Sequence, residues 1–116
     1  MVCQQAEIEQ SGAVVTISVH PPELTHTQMQ ELIEECVERM RCHHAYYFIF
    51  DFSQVRFLAS ACLGAMVGFL RDLEHVRGRI ALANCQDNVA ILFKMTRLET
   101  VFPMFDDVKS AAASFA

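Results

Sequence analysis

Five consecutive residues, Tyr46-Tyr47-Phe48-Ile49-Phe50, are aromatic or β-branched, with no polar residue among them. Successive side chains of a strand point to opposite faces, so a strand with one wet face alternates apolar and polar positions. This run does not alternate. It predicts a strand buried on both faces, as in parallel sheets flanked by helices.

The rest of the chain supplies the partners such a strand needs. Ala13 to Val19 is rich in β-branched residues and reads as a second strand, ended by Pro21-Pro22, since proline supplies no ladder N–H. Residues 6–10 read as a short strand before a Ser11-Gly12 turn. Met29, Leu32, Ile33, Cys36, Val37 and Met40 recur at helical spacing and form one apolar stripe, predicting a helix over 27–41. Thr25 or Thr27 is its N-cap candidate, and Glu35–Arg39 forms a favourable i,i+4 pair. Leu63, Met66, Val67 and Leu70 predict a helix over 60–75, opened by Ser60 and stopped by Gly78. Arg79 to Asn84 is a third strand. Asp87 or Asn88 caps a helix over 88–96, with Val89, Leu92 and Phe93 on one face. Thr100 to Met104 reads as an edge strand, where proline is tolerated, and Asp106-Asp107 begins a last helix ending near Phe115. Alternation of strand and helix is the pattern of an α/β domain with a mostly parallel sheet.

Length and composition narrow the classes. A chain of 116 residues fits one domain spanning residues 1–116, with its core at about 13–115, and 53% apolar residues suffice to fill it. The formal net charge of −5 and scattered basic residues argue against nucleic acid or an anionic membrane as the main partner. Five cysteines, at 3, 36, 42, 62 and 85, include no Cys-x-x-Cys pair and suggest reduced thiols in the cytoplasm. The N-terminus has no apolar run of a signal peptide, and Ala61 to Leu70 is too short to span a bilayer. No metal site, cofactor motif or paired-carboxylate motif is expected. His43-His44 lacks a third ligand and reads as a solvated loop.

In open sheets of this kind, function sits where strand ends meet helix starts. Two junctions qualify, Asp51 to Ser60 and Asn84 to Asn88. Asp51 ends the buried strand and is read as bonding the N–H groups of the following loop, in preference to an acid or base. Ser60 reads as an N-cap in preference to a phosphoacceptor. Cys62 lies in the first helical turn, where the dipole lowers a thiol's pKa. With no histidine nearby in sequence, it reads as a small apolar packing residue and not a nucleophile. No catalytic residue is assigned.

Ile49-Phe50-Asp51-Phe52-Ser53, then Val55, Phe57-Leu58, Ser60, Leu63 and Gly64, resembles the central block of STAS domains. That block is a hydrophobic strand ending in Asp-Leu-Ser, a short loop, then Asp-Ser-Ser-Gly-Leu-Gly opening a helix. Downstream, Ile80 to Asn84, Val89, Leu92, Met95-Thr96, Leu98 and Val101 to Phe105 resemble the family's second half, so the resemblance covers residues 13–115. It implies a single STAS-type α/β domain, with a mixed, mostly parallel sheet of four to five strands and about four helices. It implies an anti-sigma factor antagonist, a protein-binding module and not an enzyme. Its partner would be an anti-sigma factor or a switch-type serine kinase, and homodimerisation is left open. A STAS subunit of a larger assembly (transporter-associated or stressosome-like), or a binder of a small ligand or nucleotide, is the alternative. In the family a kinase phosphorylates the second serine of Asp-Ser-Ser-Gly and phosphorylation releases the complex. Here those positions are Ala59, Ser60, Ala61 and Cys62, so Ala61 holds the usual acceptor position and only Ser60 offers a hydroxyl. The partner-binding residues implied are Phe57, Leu58, Ala59, Ser60, Ala61, Cys62 and Gly64, with Asp51 and Thr25 beside them.

Overall fold

Tyr47 to Phe50 does lie at the heart of the sheet, with Tyr46 just before the strand. The computed structural model describes residues 5–115. Within it, strand β4 (Tyr47–Asp51) is third of five in the order β1-β2-β4-β6-β7. Its neighbours are β2 (Val14–Val19) and β6 (Arg79–Ala83), both parallel to it. The edges are β1 (Ala6–Ser11), antiparallel to β2, and β7 (Met104–Phe105), parallel to β6. Parallel neighbours need crossovers, which α1 (His26–Cys42), α2 (Ser60–Glu74) and α3 (Asp87–Met95) supply. A short parallel pair, β3 (Glu23–Leu24) with β5 (Phe57–Leu58), stands apart from the main sheet, and α4 (Val108–Ala113) follows β7.

Both faces of β4 are buried, as its composition requires. Phe48 and Phe50 pack into the larger core with Met29, Leu32 and Cys36 of α1 and Met66, Phe69 and Leu73 of α2. Phe48 meets Phe69 edge-on at 4.9 Å between ring centres. On the other face Ile49 packs with Ala81, Ala83 and Ala111 of α4. The small side chains there let α4 lie close to the sheet. Tyr47 stacks on Phe115 at 5.1 Å at its margin.

Of the two cap candidates of α1, Thr25 is the one used, and Thr27 lies within the helix. Thr25 Oγ1 accepts from the Gln28 N–H at 3.2 Å, while Gln28 Oε1 accepts from the Thr25 N–H at 2.9 Å, a reciprocal capping box. Glu35 and Arg39 pair at 3.3 Å.

Three expectations change at element ends. The N-cap of α2 is Ala59, with Ser60 the first helical residue and no side-chain cap bond. The reason lies just upstream, where the Ala59 N–H donates to Leu24 O at 3.0 Å and holds Ala59 in the extended chain. The N-cap of α3 is Gln86, and neither Asp87 nor Asn88 caps it. The expected edge strand over 100–104 is shorter and later. Leu98–Thr100 forms a 3₁₀ turn instead, closed by the Val101 and Phe102 N–H groups on Leu98 O at 3.0 and 2.8 Å. The carbonyl of Pro103 then accepts from the Leu82 N–H at 2.9 Å. Proline offers no N–H to carry the ladder further back, so β7 begins at Met104.

Candidate partner-binding site

The ladder registers explain why two distant loops meet. Ser18 pairs with Asp51, and Asp51 with Ala83, so β2, β4 and β6 end at one level. Their following loops share that edge. Pro22 O accepts from the Arg56 and Phe57 N–H groups at 2.7 and 3.0 Å, and β3 pairs with β5. This sets Thr25 and the start of α1 beside Ala59 and the start of α2.

Phe57 is 54% exposed, an unusual state for a phenylalanine. Ala59, Ser60, Ala61 and Gly64 are also exposed. Leu58 and Cys62, expected among the partner contacts, point the other way. Both are buried, Cys62 completely, so they shape the site from beneath and present no surface to a partner. An open hollow of about 320 Å³ lies between the two segments, lined by Glu23, Thr25, His26, Phe57 and Ala59 among others. The hydroxyl of Thr25 is engaged in capping α1.

Asp51 works within the loops. Its Oδ1 accepts from the Ser53 N–H at 3.0 Å, as expected, and also from Asn84 Nδ2 at 3.2 Å. Gln86 Nε2 donates to Ser53 O at 2.8 Å. Asn84 sits at φ 57°, in the left-handed region that asparagine tolerates better than most residues. These bonds tie the β6–α3 junction to the β4–β5 loop. The sequence marked both junctions, but nothing in it paired Asp51 with Asn84.

Two thiols at this edge, Cys62 and Cys85, are held toward their protonated form. Burial pushes the Cys62 thiol above its ordinary pKa, with backbone hydrogen bonds at Ala59 and Cys62 only partly opposing it. Desolvation therefore outweighs the helix-terminus effect expected from position. Burial and the neighbouring Asp51 charge push Cys85 up to about 12. Among the described residues, no group of three or more His, Cys, Asp or Glu side chains is placed to hold a metal ion. No described helix is long and apolar enough to cross a membrane.

This arrangement of strands and helices recurs in known proteins. The family model of the STAS domain matches residues 5–111. The chain belongs to the STAS domain family. The matched region takes in β1, upstream of the core expected from residue 13. The STAS fold is shared with the anti-sigma factor antagonist SpoIIAA in its unphosphorylated form, at 22% identity and a TM-score of 0.80, covering 90% of this chain and 91% of that one. The Bacillus cell fate determinant SpoIIAA in its phosphorylated form matches at 20% identity and 0.73, covering 96% and 99%. An anti-sigma-factor antagonist (STAS) domain protein from Planctomyces limnophilus matches at 17% identity and 0.81, covering 96% and 97%. No curated protein sequence matches the chain.

Proposed function

We propose that this STAS domain is a regulatory protein-binding module of the anti-sigma factor antagonist kind, working in the cytoplasm and without catalysis. It docks an anti-sigma factor or switch-type serine kinase on Phe57, Ala59, Ser60, Ala61 and Gly64. Ala61 keeps it in a form equivalent to the unphosphorylated one. The observation that carries this reading is the exposed first turn of α2, with Ala61 at its surface, no side-chain cap, and exposed Phe57 beside it. The first N–H groups of a helix attract a partner's carboxylate or carbonyl, and an exposed aromatic supplies an apolar anchor. The solution of SpoIIAA in both unphosphorylated and phosphorylated forms supports a phosphate switch in that protein. Here the hydroxyl of the usual acceptor position is gone, and the adjacent hollow is mostly apolar, which suits a protein surface better than a nucleotide.

Calorimetric titration against the partner, once recovered by pull-down, tests this. Ala61→Asp places a negative charge on the docking surface and should weaken binding at least about tenfold, or 1.4 kcal/mol. Ala61→Ser should bind like the parent, then take up phosphate from the kinase and ATP at the introduced serine, read by mass spectrometry. Glu7→Lys, on the far edge strand, should leave affinity unchanged. Undiminished binding by Ala61→Asp would place the docking surface elsewhere.

A further inference from the structure

The short strand β7 leaves the outer edge of β6 half covered. Along a strand, the backbone groups of alternate residues face opposite neighbours. Arg79, Ala81 and Ala83 face β4, with the Arg79 N–H on Tyr46 O and the Phe52 N–H on Ala83 O. Ile80, Leu82 and Asn84 face the other way. There the Leu82 N–H donates to Pro103 O at 2.9 Å and the Asn84 N–H to Phe105 O at 3.2 Å. The register sets Leu82 against Met104, so the donor due to Ile80 O is the N–H of residue 103. That residue is proline and has none. The chain before it has turned away into the 3₁₀ turn Leu98–Thr100. Among the described residues, neither the N–H nor the C=O of Ile80 has a hydrogen-bond partner.

Ile80 is 1% exposed, and buried backbone groups are nearly always paired. Beside it lies a cavity of about 380 Å³, lined by Ile80, Leu70, Val101, Pro103, Phe105 and Phe115 among others. Leu70 packs with the larger core on one face of the sheet, and Phe105 and Phe115 with the smaller one on the other. The cavity therefore has an apolar wall on each side of the sheet plane. Val101, 45% exposed, adds an apolar residue open to solvent. The charged residues lining it are Glu74 and Arg79, of opposite sign, so they favour a neutral occupant over an anion.

We propose that this gap takes an extended apolar peptide segment of a protein partner, which completes the outer edge of β6. One residue of the segment donates its N–H to Ile80 O and accepts the Ile80 N–H on its own carbonyl. Side chains alternate in an extended chain, so successive residues fall toward Leu70 on one face and toward Phe105 and Phe115 on the other. The site is at the amino end of β6, the opposite end of the sheet from Ala61, and does not depend on the function of that edge.

The test titrates the blocked tripeptide acetyl-Val-Ala-Val-amide into the parent protein by NMR. Amide shifts should concentrate at residues 78–82 and 100–105, with the Ile80 amide proton moving downfield as it gains an acceptor. N-methylation of the peptide's alanine removes the donor to Ile80 O and should raise the Kd at least about tenfold. Val101→Asp should do the same and leave the melting temperature unchanged, since that side chain is exposed. Ile91→Asp alters a comparably exposed apolar residue on α3, outside the cavity, and should stay within about twofold of the parent. The proposal is overturned if the N-methylated peptide binds as tightly, if Val101→Asp binds no more weakly than Ile91→Asp, if the shifts centre elsewhere, or if the parent binds no peptide. It is also overturned if N-methylacetamide moves the same resonances with an equal Kd, which would make the cavity a small-amide site. A parent dimer that Val101→Asp abolishes in sedimentation would overturn it too, since the occupant would then be a second copy.

Discussion

Ala59 stands where α2 needs an oxygen. It holds the N-cap conformation, at φ −64° and ψ 138°, but has no side chain to accept from the first turn. Ser60, one residue on, has the oxygen but lies inside the helix. A side chain and a backbone position one residue apart cannot be assigned reliably from sequence, because helix ends shift by a residue or two with tertiary context. Here the context is the Ala59 N–H bond to Leu24 O, a contact between segments distant in sequence. Ala59→Asp should therefore stabilise the fold by about 1 kcal/mol, and Ser60→Ala should change it by less than about 0.5 kcal/mol. Urea midpoints of the two variants decide this, and a large loss in Ser60→Ala would restore the serine to the cap. At α1 the sequence left Thr25 and Thr27 as alternative caps, and the reciprocal bonds between Thr25 and Gln28 decide for Thr25.

At the scale of elements, the junction between α2 and β6 shows how a glycine can be placed correctly for an incomplete reason. Gly78 was expected to end α2. The helix closes as a Schellman motif, with the Gly78 N–H on Leu73 O at 2.7 Å and the Arg77 N–H on Glu74 O at 3.2 Å. The left-handed position, however, is taken by Arg77 at φ 59°. Gly78 is required by packing instead, since a Cβ there would lie 2.5 Å from Tyr46 O and 2.8 Å from Leu73 Cδ2. The strand start of β4 presses on the backbone of the turn. Gly78→Ala should cost about 1–3 kcal/mol through this clash, measured by chemical denaturation. A neutral result would mean that the turn yields and that the close approach is not required. The late start of β7 has a comparable cause. The apolar run before it suggested a strand, but the 3₁₀ turn and Pro103 together leave only Met104 and Phe105 free to pair.

Over the whole molecule, the sheet is covered unequally. One face carries α1 and α2 over a large aromatic and aliphatic core, while the other rests on α4, a helix of six residues, and on Phe105 and Phe115. Buried Ala111 is the contact that seats α4 on Ile49, Ala81 and Ala83. Ala111→Arg should detach α4 and cost at least about 2 kcal/mol, with the exposed face binding a hydrophobic dye in native conditions. Stability and dye binding equal to the parent would show that α4 contributes little. The sequence by itself determined the central strand, the three long helices and their inward faces, because burial on both sides of β4 and a 3.6-residue stripe are written locally in residue type and spacing. It also marked both junctions at the carboxyl edge. Only the tertiary structure decided which side chains there face outward, that Asp51 and Asn84 join the two loops, and that Cys62 is sealed beneath the surface. Those outcomes depend on pairings between segments more than thirty residues apart, such as Asp51 with Asn84 and Leu24 with Ala59. The register and depth of such pairings are set by the packed whole and leave no periodic trace in the chain.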